Sequence, residues 1–217
     1  GPMTKRPNPS GRTDSIGRRI RVSSGSAPDP EVAISAGPHS GLLDAVLASA
    51  ARLQQVVPGA VLVGGTASAF YARHRLSQDH DHVLVDLVGR FDEVLSNLES
   101  LNEWSTARVQ PGKIVLGSLG GIETGVRQLI RARPLEVERV TIDGASLVVP
   151  TEAEILRIKA WLALRRNQTR DYLDIAAIAD HLGVDNAAEV LVGIDGYYAD
   201  DITKNSIAQQ VIRQLAD

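Results

Sequence analysis

The 217-residue chain contains no cysteine, which excludes disulfides, thiolate metal ligands and cysteine nucleophiles together. Aromatic residues make up only 4% of it, too few for a platform on which successive bases stack. An excess of positive charge is also missing: 23 Lys and Arg stand against 26 Asp and Glu, a formal net charge of -3. A generally basic nucleic-acid coat is therefore excluded, and any nucleic-acid contact must come from a local patch. No apolar run is long enough to span a bilayer and no stretch reads as a signal peptide, so a cytoplasmic protein without a membrane partner is expected. What is present, 43% hydrophobic and 23% charged residues, is ordinary for a globular chain of one large or two small domains.

Gly1-Pro2 ahead of Met3 reads as a remnant of expression. Residues 1–38 form a basic Pro/Gly/Ser-rich segment, in which Lys5, Arg6, Arg12, Arg18, Arg19 and Arg21 outnumber the acids. It reads either as a mobile tail or as an arm that touches RNA or a partner. From Ser40, Leu42, Leu43, Val46, Leu47, Ala50 and Leu53 recur at helical spacing until Pro58-Gly59 stops the pattern. A buried strand over 60–63, a helix over 66–74, a strand over 80–87 and a helix over 90–101 follow. Short strands fit 104–109, 113–119, 123–130 and 135–142, and helices run from Thr151 onward. The pattern divides the chain into a mixed α/β core over 39–150 and a helical half over 151–217, an α/β (α+β) protein.

The most informative stretch is 61–83. An apolar run ends in Gly64-Gly65-Thr66, a helix-compatible stretch follows, and Arg75, Ser77, Asp79 and Asp81 come next. A Gly-Gly turn opening a helix offers free N–H groups to an anion. Thr66 suits the helix cap or a phosphate contact. Asp79 and Asp81, two apart on a strand, share one face. Acids beside a phosphate cradle are what phosphoryl or nucleotidyl transfer requires. Each half of the pattern alone is ordinary: Gly-Gly-Thr is often a turn, and Asp-x-Asp a solvated strand end. Arg75 and Ser77 lie on the approach to the acids, to bind phosphate or to order the strand. His80 and His82 face the other side, as hydrogen-bonded strand residues or as a His-x-His zinc pair that lacks an evident third ligand.

A second group lies downstream. Lys159 has Ile155, Leu156, Leu162 and Ala163 three and four residues away, so it leaves its helix from the packed side. It either snorkels outward or reaches an anion. Asp171 falls in the first turn of the next helix, where the dipole alone favours an acid. Lys113, Arg127, Arg131 and Arg133 line an acceptor groove or are plain surface charge.

Gly64-Gly65-Thr66 with Arg75-Leu76-Ser77-Gln78-Asp79-His80-Asp81 resembles the signature of DNA polymerase-β-like nucleotidyltransferases. The Arg-x-Ser-x-Asp-x-Asp form is similar to the AbiEii/MenT branch, nucleotidyltransferase toxins of bacterial toxin–antitoxin systems. Lys159 followed by Arg170-Asp171-Tyr172-Leu173-Asp174 resembles that branch's second signature. The resemblance covers roughly residues 60–180. It implies a small mixed-sheet nucleotidyltransferase core with flanking helices, followed by a helical C-terminal half. It also implies metal-dependent transfer of a nucleoside monophosphate from a nucleoside triphosphate to the 3′ end of tRNA or another RNA, with a cognate antitoxin as partner. Carried to these positions, Gly64, Gly65, Thr66, Arg75, Ser77 and Lys159 bind the triphosphate. Asp79 and Asp81 hold magnesium, two ions when nucleotide is bound, and Asp171 completes the site. Asp174 orients Arg170 or Arg166. The superfamily normally adds a third acid from a neighbouring strand. Leu135-Glu136-Val137 resembles that strand, so Glu136 is preferred to Glu138. His80 departs from the family, which usually has an apolar residue between the two acids.

Overall fold

A computed structural model describes residues 40–131 and 133–217; the basic segment 1–38 lies outside the described residues. Helix α1 (Ser40–Val56) leads into β1 (Val61–Val63), α2 (Gly64–Ala72), β2 (His80–Leu84), α3 (Leu87–Glu99) and three strands, β3 (Trp104–Gln110), β4 (Ile114–Leu119) and β5 (Ile122–Gln128). A hairpin of β6 (Val137–Ile142) and β7 (Ala145–Pro150) precedes α4 (Glu152–Arg166), α5 (Thr169–Leu182), α6 (Val184–Val192), a 3-10 turn over Gly193–Gly196, and α7 (Ile207–Ala216). The main sheet has five strands in the order β1-β2-β5-β4-β3, and β6-β7 form a separate pair. β2 runs parallel to β5, while β1–β2, β5–β4 and β4–β3 are antiparallel. This is the expected mixed α/β fold.

The helical stripe of α1 packs as its spacing predicts, except that Leu42 is exposed while Leu43, Val46, Leu47, Ala50 and Leu53 are buried. One apolar cluster joins Leu47 and Ala50 of α1, Phe70 of α2, Leu147 and Val149 of β7, and Ile155, Leu156 and Ile178 of α4 and α5. A second packs Phe91, Val94 and Leu98 of α3 against Val115, Leu119 and Val126 on one face of the sheet. A third holds Val211 and Ile207 of α7 against Ala160.

Several boundaries move. α2 begins at Gly64, because Gly64 (φ 75) turns the chain straight from β1 into the helix. Thr66 is therefore inside the helix and not its cap. β2 stops at Leu84, and α3 starts at Leu87 with a kink at Arg90. The predicted strand 135–142 shortens to β6, and β7 adds a strand that the apolar run 145–150 had left unassigned. α4 is capped by Thr151, whose Oγ accepts from the Glu154 amide at 3.2 Å, and ends at Asn167 in the left-handed region (φ 47). No helix among the described residues is long and apolar enough to cross a membrane.

Candidate active site

The β1–α2 turn, β2 and the α4–α5 pair build the site. Strand alternation directs Asp79 and Asp81 to one face and His80 and His82 to the other. The register sets Asp81 between Val63 of β1 and Gly125 of β5. Both flanks are open to its carboxylate. A methyl on Gly64 would sit 3.6 Å from Asp81 Oδ2, and one on Gly125 would collide with Oδ1. Asp79 is exposed and Asp81 half-buried. Ser77 Oγ donates to Asp79 Oδ1 at 3.1 Å, and the buried Thr66 hydroxyl donates to the Asp79 carbonyl. Thr66 and Ser77 thus both bond the residue that opens the acid pair, Asp79. Burial pushes the Asp81 carboxyl above its usual range; Arg127 opposes this and Asp79 adds to it.

The second group converges on the first through salt bridges. Lys159, 2% exposed, places Nζ 2.7 Å from Asp174 Oδ2 and 3.4 Å from Asp171 Oδ1. Arg75 clasps Asp174 with Nε at 2.8 Å and Nη2 at 3.0 Å, its guanidinium lying against Gly65. His74 Nε2 is 2.6 Å from Asp174 Oδ1. Arg166 holds Asp171 with two bonds of 2.7 Å. Lys159 is therefore linked to the glycine turn through two residues, Asp174 and Arg75. The charges of Arg170 and Arg166 reach Asp81. Asp174 and Asp171 both lie below the usual carboxylate range. Burial opposes this in each, and is outweighed by bonds from His74, Arg75 and Lys159 at Asp174 and from Arg166 and Lys159 at Asp171.

Asp174 pairs with Lys159, Arg75 and His74, and neither Arg166 nor Arg170 bonds to it; Arg170 bonds Gln168 instead. Arg75 bonds Asp174 through both Nε and Nη2. Glu136 is not brought to the acid pair. It precedes β6, where it bonds Tyr197 Oη at 2.8 Å and Arg157 Nη2 at 2.8 Å. Glu138 instead accepts from the Tyr71 hydroxyl. Among the described residues no three His, Asp or Glu are grouped to hold a metal. The β5 position facing Asp81 is Gly125, and the acid that β5 does carry on that face is Glu123, two residues earlier, which the sequence reading did not single out.

Behind the acids, His80 and His82 are fully buried and bonded to each other, Nδ1 to Nε2, at 3.0 Å. Ser49 Oγ lies 2.9 Å from His80 Nε2. Burial lowers His80 to about 4 and holds His82 well below its ordinary value. Both are satisfied core residues, and the described neighbours supply no zinc site.

The acid pair does suit magnesium. Both donors are carboxylates, and the two flanking glycines leave room at Asp81. A hard cation of this kind needs few protein oxygens when phosphates supply the others.

Comparison with known proteins points to the same fold. A nucleotidyltransferase-like antigenic protein of Paracoccidioides brasiliensis superposes with a TM-score of 0.52 at 14% identity, over 82% of this chain and 88% of that one. The antibiotic-resistance enzyme ANT(2")-Ia, in complex with adenylyl-2"-tobramycin, gives a TM-score of 0.53 at 12% identity, over 70% of this chain and 97% of that one. The fold is thus nucleotidyltransferase-like. No protein-family profile matches the chain. A 105-residue stretch, 45% of the chain, is 37% identical to the heme uptake protein MmpL11 of Mycobacterium tuberculosis and spans 11% of that protein. A similar stretch of 89 residues, 40% of the chain, is 38% identical to the mycolic acid-containing lipids exporter MmpL11 of Mycolicibacterium smegmatis and spans 9% of it. The matched part is thus about a tenth of these curated relatives.

Proposed function

We propose that this chain is a metal-dependent nucleotidyltransferase that moves a nucleoside monophosphate from a nucleoside triphosphate to an RNA 3′-hydroxyl, the acceptor end of tRNA. In this reading it works in the cytoplasm as the toxin of a bacterial toxin–antitoxin system, and capping the acceptor end blocks translation. The core over 39–150 brings the acids and the helical half over 151–217 brings Lys159 and Asp171. The observation that carries the reading is that Asp81 packs beside Gly64 while Arg75, against Gly65, joins the helix start to the Asp174–Lys159 pair. The toxin and tRNA assignments rest on the two sequence signatures.

Magnesium held by Asp79 and Asp81 would neutralise phosphate charge and acidify the attacking hydroxyl. The first-turn amides of α2, at Gly64 and Gly65, have no helical acceptors and are free to hold phosphate oxygens. Lys159 meets the triphosphate by exchanging its longer contact, to Asp171, for a phosphate oxygen. Asp174 keeps hold of the ammonium during that exchange. Asp171, doubly bonded by Arg166 and kept acidic, is a poor proton acceptor and acts by positioning Arg166 and Lys159. The 3′-hydroxyl gives its proton to solvent as its oxygen bonds to the α-phosphorus, the α–β bridging bond breaks, and pyrophosphate leaves.

The test is incubation of the protein with magnesium, each labelled nucleoside triphosphate in turn, and total tRNA. Labelled tRNA is expected, lost with EDTA and with Asp81→Ala. Expression of the unaltered chain should arrest growth and Asp81→Ala should not; equal toxicity would end the catalytic account. The likeness to ANT(2")-Ia favours a second reading, transfer to a hydroxyl of a small molecule such as an antibiotic. Labelling of aminoglycosides but not of RNA would select it.

A further inference from the structure

The face of β2 that carries Asp79 and Asp81 continues across the sheet as an open platform. The register sets Asp81 opposite Gly125, Gly125 opposite Leu116, and Leu116 opposite Arg108. Directly paired residues share a face. Gly125 bears this out, since a methyl on it would meet Asp81 on one side and lie 3.2 Å from Leu116 Cδ2 on the other. One row along, Arg127 stands opposite Val83 and Ile114 on that same face. α3 packs on the opposite face, against Val115, Leu119 and Val126. Among the described residues no helix covers the acid-bearing side of β3, β4 and β5, and Arg108 and Arg127 are exposed there. The bulge between Thr106 and Arg108 returns Arg108 to register with Leu116.

We propose that this face is the acceptor platform: it takes the RNA strand whose 3′ end reaches Asp79 and Asp81, with Arg127 and Arg108 on its backbone phosphates. The inference rests on the nucleotidyl-transfer reading and names the surface that reading leaves open. Two observations select RNA as occupant. The platform is continuous with the acid pair, and its two arginines lie two strands apart and two residues along them, about 12 Å between backbones, a spacing of next-but-one phosphates. The charge of Arg127 is also the strongest attraction felt by Asp81, which sets it beside the reacting end. Glu123, on this face next to the acid pair, repels phosphate there and leaves that end to the terminal sugar. In a chain of net charge -3, such a local patch is the form that RNA contact must take.

The test measures binding of a fluorescent tRNA acceptor-stem minihelix to the whole chain by anisotropy, at several salt concentrations. Arg108→Gln should weaken binding about 3- to 10-fold and make the log–log salt slope shallower by about 1, and Arg108→Gln/Arg127→Gln by about 2. Arg139→Gln, which removes the same charge from the exposed β6 of the other sheet, should change neither. The nucleotide KM of Arg108→Gln should stay at the wild-type value. Binding by Arg108→Gln equal to that of Arg139→Gln would overturn the platform, as would no minihelix binding by the unaltered chain. Binding through Arg108 with no transfer from any nucleoside triphosphate would remove the proposed activity and leave the platform standing.

Discussion

Lys159 meets Asp174 and Asp171 in a place that water does not reach. Removing one member of a buried pair leaves the other uncompensated, at a typical cost of 3–5 kcal/mol. Asp174 would keep Arg75 and His74, and Asp171 would keep Arg166, so Lys159→Met should lose about 3 kcal/mol, at the low end of that range. Urea denaturation reads the loss directly, and a midpoint equal to wild type would show that the ammonium is not bound as described. Gly125 offers the converse case. Its methyl would strike the Asp81 carboxylate while the β5 backbone stays paired. Gly125→Ala should therefore fold with a near-normal melting temperature and lose about 100-fold in nucleotide transfer, the scale expected for a small misplacement of a reacting group. Undiminished transfer would take Asp81 out of the chemistry. The exposure of these two positions to reading differed. Four apolar neighbours at helical spacing marked Lys159 as inward-facing. An isolated glycine in a strand also signals close approach, but only the register says that the approaching group is Asp81. The Arg75–Asp174 clasp spans 99 positions, and no local pattern chooses Asp174 among 26 acids.

At the scale of elements, β2 works as a partition with acids on one face and a neutral imidazole pair on the other. An unfolded chain binds protons on His80 and His82 near pH 6.5, whereas the folded chain resists, with His80 held to about 4. The unfolded state therefore binds more protons between those values, and stability falls as the pH drops from 6.5 towards 4. For His80 alone the loss between pH 7 and pH 5 is about 2 kcal/mol. His80→Gln, which keeps a polar partner for Ser49, should flatten the pH dependence of the urea midpoint over that window. An unaltered slope would mean that His80 is charged in the folded state. Alternation alone revealed that the histidines oppose the acids. Their pairing depended on Ser49, supplied by α1 from 31 positions away. The hairpin of β6 and β7 shows a signal that was present and passed over: Asp143-Gly144 between two alternating runs is a strong turn marker. It was masked by the length of the apolar run before Pro150. Edges of α2 and α3 shifted because caps depend on backbone angles, such as those at Gly64, that periodicity does not report.

For the whole molecule, the decisive fact is that one apolar cluster crosses the division between the mixed and helical parts. Leu62, Phe70 and Val149 belong to the first, Ile155, Leu156 and Ile178 to the second, and all are buried together. The salt bridges repeat the pattern, since Arg75 precedes β2 while Asp174 and Lys159 lie on α5 and α4. Neither part can keep its side of that cluster out of water alone. Buried apolar side chains contribute about 1.5–3 kcal/mol each, so exposing the six just named would cost about 9–18 kcal/mol, comparable to the whole stability of a domain. The described residues should therefore unfold as one cooperative unit, even though the sequence changes character near Pro150. Calorimetry of the full chain should give a single transition in which the calorimetric and van't Hoff enthalpies agree. A fragment of residues 39–150 should lack dispersed amide resonances. A first transition confined to the helices, with the sheet still folded, would mean that Lys159 and Asp171 are carried by a separable module, and that the site forms only when two independent bodies meet.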